Sequence, residues 1–236
     1  MMQELDILDR LLQKDQADDM ISVITEFAHH LGFRAFALGI LNVLSELSGK
    51  FISTYNAEYL AIYQKKKFYL HDHVIAHCIK CDTPINWETT YPFETLSPQA
   101  QKIILTSADF GIIQGVAVPV ETRFGRGIVS LQFDGSSKEL DDYMQHRLFK
   151  IMGFCQATLW KATRDAPSLL LEQPRLTKRE YECLHYMGDG LSNYDISQVM
   201  GISLSRVKEL VSALFRKLHA ANRVEAVMQA VNFHII

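Results

Sequence analysis

The sequence predicts an α+β protein in two parts: an N-terminal α-β-α sandwich around an antiparallel sheet, and a C-terminal all-α domain of four short helices forming a helix-turn-helix. Three observations predict it. The first 164 residues run from helices through alternating strands to one long helix, the order of an α+β layer structure. Two prolines then bracket "TRDAPSLLLEQPRLT", Thr163 to Thr177, and each discourages helix in the residue before it. Beyond them the chain is wholly helical and densely capped. The expected division is therefore 1–164, a linker at 165–174, and 175–236.

In the first part, Met20, Ile24, Phe27 and Leu31 recur at helical spacing, with Gly32 as the stop. "FRAFALGIL" and "FISTY" read as strands, being rich in β-branched and aromatic residues. "LSPQAQKIILTSADFG" reads as a helix with Ser97 as cap, Pro98 in the first turn and Gly111 at the end. "GVAVPVETRFGRGIVSLQF" predicts a hairpin around a turn containing Gly125 and Gly127. From Lys138 to Arg164 a single helix places Leu140, Met144, Leu148, Ile151 and Cys155 near one face.

After the linker, Thr177-x-x-Glu180 is a capping box opening a helix through Met187, and Gly190 breaks it. Ser192-x-x-Asp195 starts a short helix that ends at Gly201; Ser203 caps "LSRVKELVSALFRKL", and Asn222 starts a fourth helix. Helices this short are stable only when packed together. The second and third, joined by a glycine turn, form a helix-turn-helix whose second member carries Arg206, Lys208, Arg216 and Lys217.

Composition excludes several classes. Apolar residues make up 48% and charged residues 22%, ordinary for a globular chain. No run of eighteen apolar residues offers a membrane span. The start, "MMQELDILDRLLQKDQADDM", lacks the basic and apolar regions of a signal peptide, so a cytoplasmic location is expected. Four cysteines do not suggest a disulfide framework. The net charge of −3 divides unevenly: from Arg175 onward eight basic residues face six acidic ones, a net of +2, leaving −5 for the first 174 residues. That favours a C-terminal part that faces nucleic acid. No Ser/His/Asp arrangement, phosphate loop or zinc-protease motif appears, and "RFGRG", Arg123 to Gly127, reads only as a turn, so no enzyme is expected.

"HDHVIAHCIKC", His71 to Cys81, packs three histidines and two cysteines into eleven residues. His77 and Cys81 fall one helical turn apart, as a partial zinc chelate would. Structural zinc draws ligands from two separated segments, however, and no second cluster exists; the alternative is that the cysteines are small apolar packing residues.

"LTKREYECLHYMGDGLSNYDISQVMGISLSRVKELVSALFRKLHAANRVEAV" resembles the DNA-binding domain of LuxR-type transcription regulators. Glu180, Leu184 and Gly190 fall where that family's recurring Glu, Leu and Gly sit, and "NRVEAV" matches its last helix. The resemblance implies that the third helix enters the major groove and presents Ser203, Ser205, Arg206, Lys208 and Glu209. Arg206, with its two-pronged donor, is the candidate for guanine; Lys208, Arg216 and Lys217 are candidates for phosphate. Leu210 stands where the family has histidine, and Tyr194 where a basic residue is common.

A phosphorylated receiver is excluded, because Asp18-Asp19 follows no strand and the alternating parallel pattern is absent. The N-terminal part resembles instead the ligand-binding domain of acyl-homoserine-lactone-responsive regulators, which implies a GAF/PAS-like fold. That family's pocket signature runs Trp, Tyr, Asp-Pro, Trp, Gly; here Tyr63, Asp72, Trp87 and Gly115 match it, while Tyr59 replaces Trp and His73 replaces Pro. The His-Cys stretch is then a pocket wall rather than a metal site, and neither metal nor cofactor is expected.

The resemblance implies these roles. Asp72 accepts from the ligand amide N–H, Tyr63 donates to the amide carbonyl, and Tyr59 replaces the indole donor to the lactone carbonyl. Trp87 packs on the ring, Tyr55 lines the tail, and Ser130 or Gln132 adds a polar contact. Asp72 is equally placed to cap the helix that follows it. Ile103 and Ile104 stand where the family has an aromatic, implying an altered pocket width. The expected protein is a homodimer joined along the helix 138–164, binding an N-acyl-homoserine lactone and a double-stranded inverted-repeat operator, without membrane contact. The alternative is a regulator that has lost lactone response, acting without ligand or sensing another small molecule.

Overall fold

The structure, a computed structural model, describes residue 9 and residues 17–41, 51–165, 170, 174–233 and 235–236. Most of the expected linker at 165–174 lies outside the described residues, as does most of the acidic N-terminal stretch. The chain divides into two compact units, residues 1–171 and 172–236.

In the first unit, α1 (Ala17–His30) leads into β1 (Phe33–Ile40) through Gly32, whose φ of +78° needs glycine. β2 (Phe51–Ser53), α2 (Ala57–Lys65), α3 (His73–Lys80), β3 (Ile85–Asn86) and α4 (Pro98–Ala108) follow. The unit closes with the hairpin β4 (Gln114–Thr122) and β5 (Gly125–Phe133), then α5 (Ser137–Asp165). Among the described residues the strands form one antiparallel sheet in the order β2-β1-β5-β4-β3. It is the expected α+β fold.

Strand alternation explains the layers. Along β1, Phe36, Leu38 and Ile40 are large, and Phe36 and Leu38 are almost wholly buried. α1 and α5 cover the sheet with Ile24, Leu140, Phe154 and Leu159, and Phe27 meets Phe154 edge to face at 4.7 Å. The alternate residues of β1 are small, Ala35, Ala37 and Gly39, and at the middle of the face their partners are small too: Ala37 pairs with Ser130, which pairs with Ala117. Small side chains on that face leave room between the sheet and the helices opposite. The space is a ligand-sized cavity.

Three local expectations change. "FISTY" pairs only as far as Ser53, because hydroxyls take over from the ladder: Ser53 Oγ donates to the Phe36 carbonyl at 2.9 Å, and Thr54 Oγ1 accepts from the Phe36 N–H at 2.9 Å. The Tyr55 N–H then bonds Ser53 Oγ at 3.1 Å, turning Tyr55 inward. The hairpin turn is Arg123–Phe124 rather than a loop holding Gly125 and Gly127. Gly127 lies within β5 opposite Val120, and a Cβ there would sit 2.2 Å from Leu159 of α5. The "RFGRG" segment is also more than a turn. Arg126 Nη1 donates to the carbonyls of Cys78 at 3.3 Å and Cys81 at 3.1 Å, while its other nitrogens meet Glu121 and Asp82. One guanidinium from β5 thereby satisfies the free carbonyls ending α3.

The second unit contains α6 (Lys178–Gly188), α7 (Asn193–Met200), α8 (Leu204–Lys217) and α9 (Arg223–Asn232). Both capping boxes form, at Thr177/Glu180 and Ser192/Asp195; Ser203 and Asn222 cap α8 and α9, and Gly190 and Gly201 have φ of +82° and +63°. Leu184, Ile196, Val207, Leu210, Leu214 and Ala226 share one core. Leu210 faces inward, so its departure from histidine leaves the outer face of α8 unaltered.

Candidate ligand cavity and nucleic-acid interface

A cavity of about 800 Å³ lies between the sheet and α2, α3 and α4. Its polar centre is built from helix ends. α2 begins at Asn56, whose side chain caps it, and presents Tyr59 and Tyr63 one turn apart. α3 begins at Asp72, which does two things at once. Its Oδ1 accepts the Val74 N–H at 2.8 Å, the helix cap, and its Oδ2 accepts the Tyr63 hydroxyl at 2.7 Å. Tyr55 donates to Ser130 Oγ at 3.3 Å across the cavity floor. Burial, reinforced by the charge of Asp72, holds the hydroxyls of Tyr63 and Tyr59 well above the ordinary tyrosine range, so both are neutral donors in the working pH range.

Trp87 forms a wall that only glycine opposite permits. Its backbone N–H bonds the Gly115 carbonyl at 3.0 Å, and a Cβ on Gly115 would lie 2.5 Å from the indole ring and 2.3 Å from the Leu131 carbonyl oxygen. The indole N–H is buried without a hydrogen-bond partner among the described residues. His73 lines the cavity and shares a 3.1 Å bond between Nε2 and the Trp87 carbonyl, so Nε2 carries the proton and fixes that wall to α3.

Tyr55, Tyr59, Tyr63, Asp72, Trp87 and Ser130 all line the cavity. Gln132 does not. Its amide donates to the Gly111 carbonyl at 2.9 Å, holding the end of α4 against β5, and that bond removes it from ligand contact. Ala37, Gly39, Tyr69, Tyr91 and Ile112 also line the space; the small-residue alternation in "RAFALGI" was the signal for the first two. In the His-Cys stretch, His77 is buried with Nε2 donating to the Thr83 carbonyl at 2.9 Å and Nδ1 accepting from Tyr91 at 3.0 Å. Burial pushes the Cys78 thiol up to about 12, leaving it a protonated packing residue.

On the second unit, α8 exposes Ser203, Ser205, Arg206, Lys208, Glu209 and Arg216. Ser203 Oγ accepts the Arg206 N–H at 3.2 Å, and Arg206 pairs with Glu209 at 2.5 Å. Lys217 is elsewhere. Its ammonium donates to Glu180 Oε2 at 2.6 Å and to the Arg175 carbonyl at 3.0 Å, so it neutralises a carboxylate only 7% exposed rather than standing ready for phosphate. Sequence spacing placed it on the helix but not on the helix face.

An α+β unit with a ligand-sized cavity, followed by a four-helix unit built around a helix-turn-helix, has the architecture of a helix-turn-helix transcription regulator. Residues 16–156 match the autoinducer binding domain, and residues 174–230 match the bacterial regulatory proteins of the luxR family. The chain belongs to the LuxR family of autoinducer-binding, quorum-sensing transcription regulators. It is 23% identical to the transcriptional activator LuxR of Aliivibrio fischeri over 229 residues, covering 95% of this chain and 91% of that one. It is 25% identical to the quorum sensing-dependent regulator RpaR of Rhodopseudomonas palustris over 179 residues, 76% and 72% of the two chains. The crystal structure of Escherichia coli SdiA shares the fold with a TM-score of 0.61 at 19% identity, covering 99% and 97%. These relatives are regulators rather than enzymes, and among the described residues no helix is long and apolar enough to cross a membrane.

Proposed function

We propose that the chain is a cytoplasmic homodimer that takes an N-acyl-homoserine lactone into the cavity and reads an inverted-repeat operator with α8. Residues 1–164 would bind ligand and hold the dimer, and residues 175–236 would bind DNA. The reading rests chiefly on Asp72, a carboxylate at the polar centre of the cavity, with a lone pair on each oxygen still open to an amide N–H. The Tyr63 proton already serves Asp72, so the Tyr55–Ser130 pair is the better-placed donor to the ligand amide carbonyl. Tyr59 supplies the hydroxyl toward the ring and Trp87 packs on it. Arg206, oriented by Glu209, would meet guanine, and Lys208 and Arg216 would meet phosphates. Phe149 and Trp160 on α5, with Val224, Met228 and Val231 on α9, are large apolar side chains left in solvent, as a two-fold pairing of copies would use.

Ligand bound only by the folded protein adds ~2.7 kcal/mol of stability at a hundredfold excess over Kd. The test is the melting temperature of the full-length protein against lactones of graded tail length. A tail-dependent rise is expected; no rise with any of them, in a folded protein that binds DNA, refutes the lactone reading and favours a regulator without ligand or with another one. Asp72→Asn keeps an oxygen to cap α3 but loses the charge, and is expected to weaken lactone binding roughly 10- to 150-fold, from ~1.5–3 kcal/mol for a bond to a charged group. Arg206→Ala is expected to lower operator affinity roughly 5- to 150-fold without moving the melting temperature, from ~1–3 kcal/mol for a base contact. An equal loss on random-sequence DNA would reassign it to the backbone.

A further inference from the structure

The outward face of α8 carries an acid at its centre. Val207, Leu210, Val211 and Leu214 are buried in the core of the second unit, which fixes the rotation of the helix. On an α-helix the stripe opposite those four runs through Ser205, Glu209, Ser212 and Arg216, and all of these are exposed. Arg206 and Lys208 stand roughly a quarter turn to either side of that stripe. Glu209 therefore lies nearer the middle of the outward face than either cation beside it. Its carboxylate pairs with Arg206 at 2.5 Å, and the two side chains are 59% and 62% exposed.

Stability does not explain the acid. An exposed ion pair contributes little, and here the basic member precedes the acidic one, the less favourable order along a helix. Against DNA the carboxylate is a penalty, because it repels phosphates and holds Arg206 away from them. Base chemistry supplies the contact that compensates. A carboxylate only accepts hydrogen bonds. On the major-groove edge guanine shows acceptors alone, and thymine an acceptor and a methyl group, so neither offers it a donor. Adenine offers an amino group, but with the N7 acceptor next to it. Cytosine offers its amino group with no acceptor of its own beside it. Arg206, with parallel donors, is complementary to guanine O6 and N7. The bonded cation and anion thus match guanine and cytosine together.

We propose that Glu209 is a base-reading residue: it accepts from the amino group of a cytosine within one base step of the guanine that Arg206 contacts, and so sets the operator preference at that position. The proposal rests on the reading that α8 enters the major groove. Glu209 then acts twice. It rejects wrong bases, and on wrong sequences it keeps Arg206 off the phosphates, so non-specific binding falls while the specificity ratio rises.

The experiment selects bound duplexes from a random-sequence pool with the full-length protein, with and without a mixture of N-acyl-homoserine lactones of graded tail length, and repeats the selection with Glu209→Gln and Glu209→Ala. The wild type is expected to enrich a motif with cytosine beside guanine. Glu209→Gln is expected to move the preference at that one position from cytosine to adenine, because glutamine pairs with adenine N6 and N7. Glu209→Ala is expected to lose the preference there, discrimination falling roughly 5- to 150-fold. On random-sequence duplex both variants are expected to bind roughly eightfold more tightly per copy of α8 at about 0.1 M salt, with a salt slope steeper by about 0.9, as Arg206 reaches one further phosphate. A wild-type motif without that cytosine overturns the proposal, as does a Glu209→Gln motif identical to the wild-type one, which would leave Glu209 only orienting Arg206. Random-sequence affinity that neither variant raises overturns it too. If the wild type enriches no sequence under either condition, the proposal and the reading of α8 fall together.

Discussion

Lys217→Met is expected to loosen the DNA-binding unit. The substitution leaves Glu180 buried with its Thr177 cap bonds but without a counter-charge. Stranding one partner of a buried pair costs about 3–5 kcal/mol; Lys217 is 37% exposed, so solvent screening brings the expected cost to about 2–3 kcal/mol. For a unit of this size that is a fall of roughly 10 °C or more in its melting transition, readable in the full-length protein by hydrogen exchange of α6 and α8. The pH dependence has a definite sign. Burial alone would raise the Glu180 carboxyl, but the bonds from Lys217 and Thr177 outweigh it and hold the group below the ordinary glutamate range. A carboxyl lowered on folding stabilises above its unfolded pKa, about 4.3, and that stability is lost as pH falls through the lower folded value. The wild type should therefore weaken below about pH 4.3. In Lys217→Met the buried Glu180, without its counter-charge, is relieved by protonation, so the gap between the two proteins should close in acid. A gap that stays constant with pH would mean that Lys217 acts through its methylene stem.

Gly115→Ala is expected to damage the cavity and the sheet together. Two obstacles face the new methyl: the Leu131 carbonyl oxygen at 2.3 Å, which is backbone of the neighbouring strand, and the Trp87 ring at 2.5 Å. Moving the first opens the β4–β5 ladder, and moving the second pushes the indole out of the wall. Overpacking of this kind costs about 1–3 kcal/mol, or roughly 3–10 °C in a unit of this length, and the ligand-induced shift should vanish with it. The double variant Gly115→Ala/Trp87→Leu separates the two obstacles. It should recover the part due to the ring and not the part due to Leu131. Full recovery would mean that the strand backbone gives way easily.

How much of this was legible in the sequence depended on whether a signal was local. The caps at Ser97, Thr177, Ser192, Ser203 and Asn222 are local contests between one side chain and one free N–H, and each stands at the residue its type indicates. Asp72, Tyr63 and Trp87 were found through a motif whose spacing reflects the helix starts it encodes. What the sequence left dark are contacts between distant positions. Nothing near Arg126 announces that it will reach the carbonyls of Cys78 and Cys81, and nothing near Lys217 announces Glu180. Both are long cations whose partners are chosen by the fold. Gln132 misled for a related reason: it shares a strand face with Ser130, but the end of α4 reaches it before any ligand can. The strand pair β3, two residues long, is held by its register against β4 rather than by any propensity of its own.

The double employment of Asp72 has a consequence for how such a receptor changes its signal over generations. One oxygen starts α3 and the other is bonded to Tyr63, so a replacement chosen for a new ligand must also be able to begin a helix. Only Asn, Ser and Thr among the other side chains do that well. The polar centre is therefore nearly frozen, not because the signal demands it but because the wall would unravel first. Tyr59, Ile103 and Ile113 carry no such second duty. A lineage exploring new signals is channelled to them, and it can trade one chemical dialect for another while the scaffold that listens stays the same.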